Sequence, residues 1–302
     1  FWMENVSRVL VTGGSGFLGR RLRLAFPQWV YLSSGDCDLT CTSQVKALFK
    51  DVRPEAVIHL ASMVGGVKEN VTRQADFAYE NNMINANVLQ QAHEFDVTRV
   101  LSALSTCAFP DKVSKYPFTE ADIFSGPPAA SNLSYAMSKR MLHVASVSYR
   151  KQYGRNYSTF SPCNLYGPED KFGEESSHFV ASLVHRCALA NSGDKVTFWG
   201  SGDAIRQQLY VDDMVKIIEK LLNSHHTDAP LIVAPGESRS IKEMIDIGFK
   251  VANKKVEVSF NGDLDGQYRK DGSNLALLHL IGDYNFVPFE EGFRRTYEEY
   301  TR

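Results

Sequence analysis

The chain is 302 residues long, 43% hydrophobic and 23% charged, with 33 Lys and Arg against 35 Asp and Glu and a formal net charge of −2. This composition excludes disordered and fibrous architectures and supplies enough chain to bury a sizeable core in two substructures. Near-neutral charge gives no electrostatic reason for a nucleic acid or an anionic membrane as partner. No apolar run approaches the ~18 residues that cross a bilayer and no charged-then-apolar leader opens the chain, so cytoplasmic residence is expected.

Short apolar, β-rich runs alternate with longer helical patterns through the first half: Arg8–Thr12, Trp29–Ser33, Ala56–Leu60 and Arg99–Ala103. Between them, Gln44–Lys50 and Asn81–Phe95 are amphipathic stretches long enough to serve as crossover helices. The rhythm predicts an α/β fold, a doubly wound parallel sheet of the Rossmann type, over residues 3–165. Beyond about residue 165 the rhythm loosens into Gly/Pro/Asp-rich loops, a helix over Phe179–Leu189 and a strand over Val196–Trp199. Residues 166–302 are expected to form mainly a smaller mixed α/β substrate-binding domain, with a segment near 203–225 returning to the first. His225 and His226, among Asn, Ser, Thr and Asp, read as a solvated loop. The five cysteines, Cys37, Cys41, Cys107, Cys163 and Cys187, are scattered without CxxC pairs, so neither a disulfide framework nor a metal site is expected.

Directly after the first run comes Gly13-Gly-Ser-Gly16-Phe-Leu-Gly19, a GxxGxxG spacing that opens into a predicted helix over Arg20–Phe26. Glycine lets the backbone turn sharply and lets a pyrophosphate approach the free N–H groups of a helix N-terminus. A strand before it, a helix after it and a place at the head of a βαβ series turn a weak glycine triplet into a dinucleotide site. Gly13, Gly16, Phe17, Leu18 and Gly19 form the predicted cradle. The second strand ends in Ser33-Ser34-Gly35, where an NAD site usually carries an Asp or Glu, and Arg20 with Ser33 and Ser34 offers a place for a 2′-phosphate. NADP(H) is therefore favoured, while Asp36 close by leaves NAD open. Asp38 and Leu39 fit the position where an acid and an apolar residue flank adenine.

Tyr135-Ala-Met-Ser-Lys139 places a phenol and an ammonium at i and i+4, on one face of a helix. An ammonium beside a phenol favours the phenolate, and the expectation is a lowered phenol pKa that makes Tyr135 a usable general acid. Ser105, after the fourth strand, adds a hydrogen bond to the same substrate oxygen.

The glycine loop, His59-Leu-Ala-Ser62, Ser105, the Tyr135/Lys139 pair, Asn164-Leu-Tyr-Gly-Pro168 and Tyr210-Val-Asp-Asp213 together resemble the extended short-chain dehydrogenase/reductases over the whole length. Within that superfamily, Met63-Val-Gly-Gly66, Ser105-Thr-Cys-Ala-Phe-Pro110, Gln152-Tyr-Gly-Arg155, Ser177-His178, Phe198-Trp-Gly-Ser-Gly202 and Asp265-Gly266 resemble the GDP-L-fucose synthase family. Nucleotide-sugar 4,6-dehydratases resemble the chain elsewhere but carry an Asp-Glu pair where Cys107-Ala108 stands here. The resemblance implies an NADPH-dependent conversion of GDP-4-keto-6-deoxy-D-mannose to GDP-L-fucose. It gives Cys107 and His178 the role of base and acid that invert carbons 3 and 5, and Tyr135 and Lys139 contacts with the cofactor. A thiol near pKa ~8.5 and an imidazole near ~6.5 bracket neutral pH, and the 4-keto group acidifies both carbons.

The same resemblance places the GDP-sugar at Asn164, Arg186, Trp199, Arg206 and Lys270. It also implies a homodimer through the helix carrying Tyr135 and another over about Phe77–Glu94. Other readings stay open: Arg186 and Lys270 as solvated charges, Arg206 as a brace for the returning strand, Trp199 as core. For the whole chain the alternatives are another NAD(P)-dependent sugar-nucleotide epimerase or reductase, such as a UDP-hexose 4-epimerase, or a non-catalytic dinucleotide-sensing module. Cys163 stands where the family's usual pattern has Thr.

Overall fold

A computed structural model describes residues 8–173, 177–262 and 267–302. The first half runs β1 (Val9–Thr12), α1 (Phe17–Ala25), β2 (Val30–Leu32), α2 (Thr42–Val52), β3 (Ala56–His59), α3 (Val67–Thr72), α4 (Gln74–Glu94), β4 (Arg99–Ala103), α5 (Leu133–Tyr153) and β5 (Asn156–Pro162). The chain continues through β6 (Asn164–Tyr166), α6 (Phe179–Leu189), β7 (Lys195–Phe198), β8 (Ile205–Arg206), β9 (Gln208–Tyr210), α7 (Val211–Ser224) and β10 (Pro230–Val233). It ends with β11 (Arg239–Ser240), α8 (Ile241–Val251), β12 (Glu257–Phe260), β13 (Arg269–Lys270), α9 (Leu275–Ile281) and α10 (Phe289–Tyr300).

Six strands form a parallel sheet in the order β10-β5-β4-β3-β1-β2. Its central strands are buried along their whole length, because helices cover both faces and leave no side for water. Helices α2, α4 and α5 lie against one another in one layer; α1, α7 and α9 do so in the other. The returning segment therefore runs beyond 203–225: Pro230–Val233 is the sixth strand, and Leu277 of α9 joins the same core. The chain reverses direction across the sheet between β1 and β3, and the crevice outside such a switch point is where parallel α/β sheets bind ligands.

The second lobe has its own core, in which Leu183 and Val184 of α6 meet Met244 and Ile245 of α8 and Phe293 of α10. A three-stranded sheet, β11-β8-β13, and the pairs β7·β12 and β6·β9 complete it. One expectation fails where the lobes' chain segments return. His225 is buried, its ring bonded to the Thr159 carbonyl at 2.8 Å, and burial brings its pKa down to about 4. The cause is Arg99, also fully buried, which donates to the carbonyls of Leu221, Leu222 and His225 at the C-terminal end of α7. There the helix dipole offsets the guanidinium charge in place of a carboxylate. His226 is exposed as expected.

Candidate active site

A cleft of about 760 Å³ opens at the switch point, walled by Gly13–Gly19 from β1 and α1, by Leu32–Ser34 and Cys37–Thr40 beyond β2, and by Leu60–Val64 beyond β3. Gly13 has φ +72°, and a Cβ there would stand 2.8 Å from the Ala61 amide nitrogen. A Cβ on Gly19 would collide with the Gly13 carbonyl. Side chains are excluded so that the loop can turn and lie against Leu60 and Ala61 just beyond β3, and a Cβ on Gly16, the N-cap of α1, would stand 3.2 Å from the Gly13 carbonyl. This is a cradle that fits a dinucleotide pyrophosphate. Phe17 and Leu18 line it, and so do Asp38 and Leu39.

The far end of the cleft differs from expectation in detail. Arg20 donates to the Ser15 and Glu169 carbonyls, each at 2.6 Å, and so ties the glycine loop to the second lobe instead of reaching Ser33 and Ser34. Ser33 gives both its N–H and its hydroxyl to Asp36, at 2.8 and 2.6 Å, which holds that carboxylate below its ordinary range. The cation whose charge reaches Asp36 is Arg23, laid over the Tyr31 ring at 4.9 Å. Nothing in the spacing singled Arg23 out, since it lies a full turn beyond the glycine motif.

At the C-terminal end of β4 the chain makes a short 3-10 turn, Thr106–Ala108, capped by Ser105, whose Oγ accepts the Cys107 N–H at 3.2 Å. Two successive cations of α5 hold this turn from both sides. Lys139 is buried and donates to the Ala103 carbonyl at 2.9 Å; Arg140 donates to the Ala108 and Gly126 carbonyls at 2.7 and 2.8 Å. Arg140 is a functional neighbour that sequence reasoning missed, although it adjoins the Tyr/Lys motif. One turn earlier on α5, Tyr135 stands within hydrogen-bonding reach of Ser105 and Ser62 and feels the charge of Cys107.

The predicted tuning of Tyr135 is reversed. Lys139 Nζ lies 5.7 Å from the phenol ring centroid and is spent on Ala103, so it does not draw the phenol down. Burial, and then the neighbouring sulfur, push the phenol above its ordinary value and keep it protonated at neutral pH. Burial also lowers Lys139 to about 8. Cys107 goes the other way. Burial acts to raise its thiol, but the Lys270 ammonium beside it, Ser105 and Arg206 outweigh burial and bring it below the ordinary range.

The remaining predicted residues sit on or near the second lobe. His178 stands exposed at the N-cap of α6, close enough for its charge to act on Asp170. Among the described residues no hydrogen bond links it to Cys107. Asn164 opens β6, half-buried. Arg186 donates to the Thr197 carbonyl at 2.8 Å and lies over Phe198 at 5.0 Å. Trp199 is 82% exposed and so is not core. Arg206 does brace the returning strand, through the carbonyls of Ile205, Gln267 and Tyr268. Lys270 is no solvated charge: its Nζ donates to Cys107 Sγ at 2.9 Å. Cys163 is buried, and burial pushes its thiol up. Asp265 and Gly266 lie outside the described residues.

A family model described as the NAD dependent epimerase/dehydratase family matches residues 9–234. A GDP-L-fucose synthase of Dictyostelium discoideum is 36% identical, covering 95% of this chain and 93% of that one. The chain belongs to the GDP-L-fucose synthase family. Within this family the Escherichia coli (strain K12) protein is 32% identical over 96% of this chain and 95% of its own. A solved structure of a GDP-L-fucose synthetase from Naegleria fowleri bound to NADP matches with a TM-score of 0.89 at 33% identity, covering 97% of this chain and 92% of that one. Ser105, Cys107, Tyr135 and Lys139 thus sit together in a fucose synthase fold, next to Ser62 of the cleft wall, with His178 and Trp199 on the second lobe.

Proposed function

We propose that this chain is an NADPH-dependent GDP-L-fucose synthase, which epimerises GDP-4-keto-6-deoxy-D-mannose at carbons 3 and 5 and reduces its 4-keto group. The observation that carries the reading is a thiol, not a carboxylate, two residues beyond Ser105 and beside Tyr135. Near-full-length similarity to GDP-L-fucose synthases supports the same substrate. NADPH bound in the glycine-loop cleft supplies the hydride equivalent for carbon 4. Lys139, bonded to the Ala103 carbonyl at the C-terminal end of β4, is assigned to the nicotinamide ribose.

The chain's own residues account for the proton movements. The substrate ketone oxygen lies against Ser105 and Tyr135, which hydrogen-bond it as negative charge gathers there during enolisation. Cys107 removes a proton from carbon 3 or 5, and His178 on the facing lobe returns one to the opposite face, with the sugar itself bridging the two residues. During reduction charge gathers on the same oxygen, and the protonated phenol of Tyr135 delivers its proton there. Arg186, Arg206 and Asn164 are assigned to the diphosphate and sugar, and exposed Trp199 to stacking on guanine.

We further infer a homodimer in which α4 and α5 pack against their copies in a partner. Exposed Tyr79 on α4, and Met137, Met141 and Val144 on α5, supply the apolar surface. Cytoplasmic residence is inferred from five free cysteines, which suit a reducing compartment; among the described residues no helix is long and apolar enough to cross a membrane. Purified protein with GDP-4-keto-6-deoxymannose and NADPH should oxidise the cofactor and yield GDP-L-fucose by NMR. Turnover without net NADPH consumption would overturn this activity in favour of a simple epimerase.

A further inference from the structure

The second lobe's three-stranded sheet sets β13 parallel to β8 with Lys270 beside Arg206 in register, so two cations share one face of that sheet. Lys270 reaches from it to the first lobe and meets Cys107 Sγ at 2.9 Å, the distance of a charge-assisted bond. Arg206 donates to the carbonyls of Ile205, Gln267 and Tyr268, and adds its field to the sulfur without displacing Lys270. From the 3-10 turn and α5, Ser105 and Tyr135 face the same sulfur as neutral hydrogen-bonding groups, and Cys163 beyond β5 shares the field of Lys270.

We propose that Lys270 is the positioning residue for the epimerisation base: it holds and aims the Cys107 sulfur as a thiolate in the resting enzyme, before any substrate arrives. The proposal deepens the reading of Cys107 as base and rests on it. The step so prepared breaks the C–H bond at carbon 3 or 5, moves its proton to sulfur as an S–H bond, and sends the electron pair into the enolate whose oxygen was the 4-ketone. Sulfur then becomes neutral beside an ammonium, and this environment favours loss of the new proton to water before the second inversion. The same negative sulfur helps keep Tyr135 protonated, so a charged base and a neutral acid coexist in one site.

The competing role for Lys270 is a ligand of the substrate diphosphate, and the two make different predictions. Alkylation of Cys107 by iodoacetamide, followed by peptide mass spectrometry from about pH 6 to about pH 10, reads the thiolate with no substrate present. Lys270→Met should move the half-maximal pH upward by about one unit or more, a roughly tenfold loss of thiolate near neutrality, whereas Lys270→Arg should stay close to wild type. Solvent deuterium exchange at carbons 3 and 5 should fall about tenfold in Lys270→Met with NADPH binding retained. Lys270→Gln serves the same comparison should the Met variant lose its fold. An unmoved alkylation midpoint, with only the GDP-sugar KM raised, would overturn the proposal and make Lys270 a diphosphate ligand. Absence of fucose synthase turnover alongside a shifted midpoint would count against the proposed activity while leaving the ion pair standing.

Discussion

The cations that the first lobe brings to the site are buried and bonded to backbone carbonyls, whereas His178 and Trp199 on the second lobe stand in the open. Lys139 and Arg140 grip the carbonyls on either side of the Ser105–Cys107 turn, and neither cation has water to return to. His178 and Trp199, by contrast, are exposed and have no fixed partner in the described structure apart from the charge of Asp170 near His178. Preorganised donors cost nothing to reorient at the moment of reaction, so they act in the transition state; exposed groups gain order only when substrate covers them. Arg186 and Arg206 are held by carbonyls of their own lobe, and Lys270 is bonded across to Cys107 of the first lobe.

If that division is right, removing a first-lobe group should strike kcat. Tyr135→Phe deletes the proton donor while keeping the ring, and should lower kcat for NADPH oxidation by about 10²–10⁴ with the KM for both substrates nearly unchanged. Steady-state kinetics on the keto-sugar test this directly. A matching rise in KM with kcat preserved would put Tyr135 on the binding side and erase the contrast.

A second effect, of a few kcal/mol, concerns the stability of the two lobes. His59, His143 and His225 all lie in the first lobe, are buried, and are brought by burial to about 4 from an ordinary value near 6.5. Above pH ~6.5 they are neutral in both folded and unfolded chains and contribute nothing to pH dependence. Between ~6.5 and ~4 the unfolded chain takes up protons that the fold refuses, so stability should fall by up to ~1.4 kcal/mol per pH unit for each. Urea unfolding at pH 7 and pH 5 measures the loss. Hydrogen exchange at pH 5 should show β3, β5 and α5 losing protection before α6 and α8. A stability profile flat across that interval would show that these histidines are reached by water.

His59 also shows how far a motif carries. Its place in His59-Leu-Ala-Ser62 was legible, but its wiring was not: it accepts the Thr12 hydroxyl at Nδ1 and gives its Nε2–H to Asn85, which passes an N–H on to the Ser138 carbonyl in α5. The direction of that chain follows from the Ala61 N–H donated to Thr12 and the Asn85 amide donated to Ser138. The parallel strands and the glycine loop could be read because doubly buried strands are runs of apolar residues and because the loop's chemistry is local. Strands β8, β11 and β13 could not, being two residues long and without periodicity. Their contribution to the site is the Lys270–Cys107 contact across 163 positions, which no spacing rule reaches. The burial of His225 was hidden for the opposite reason, since its sequence neighbours are polar and its partners, Arg99, Ser158 and Thr159, are distant in the chain.

The smallest expected effect tests the open side of the comparison. Trp199 follows β7 directly, 82% exposed, with Arg186 lying over the neighbouring Phe198. A large aromatic ring left in water gains stabilisation when a purine covers it, and stacking of this kind contributes about 1–3 kcal/mol per base. Trp199→Ala should therefore raise the KM for the GDP-sugar about tenfold, leave kcat within a factor of about two, and leave NADPH binding unchanged. Because the side chain is already solvated, thermal stability should hardly move, which separates loss of a ligand contact from loss of packing. A fall in kcat as large as that of Tyr135→Phe would mean that the second lobe also orders the transition state, and the division between buried chemistry and exposed recognition would have to be withdrawn.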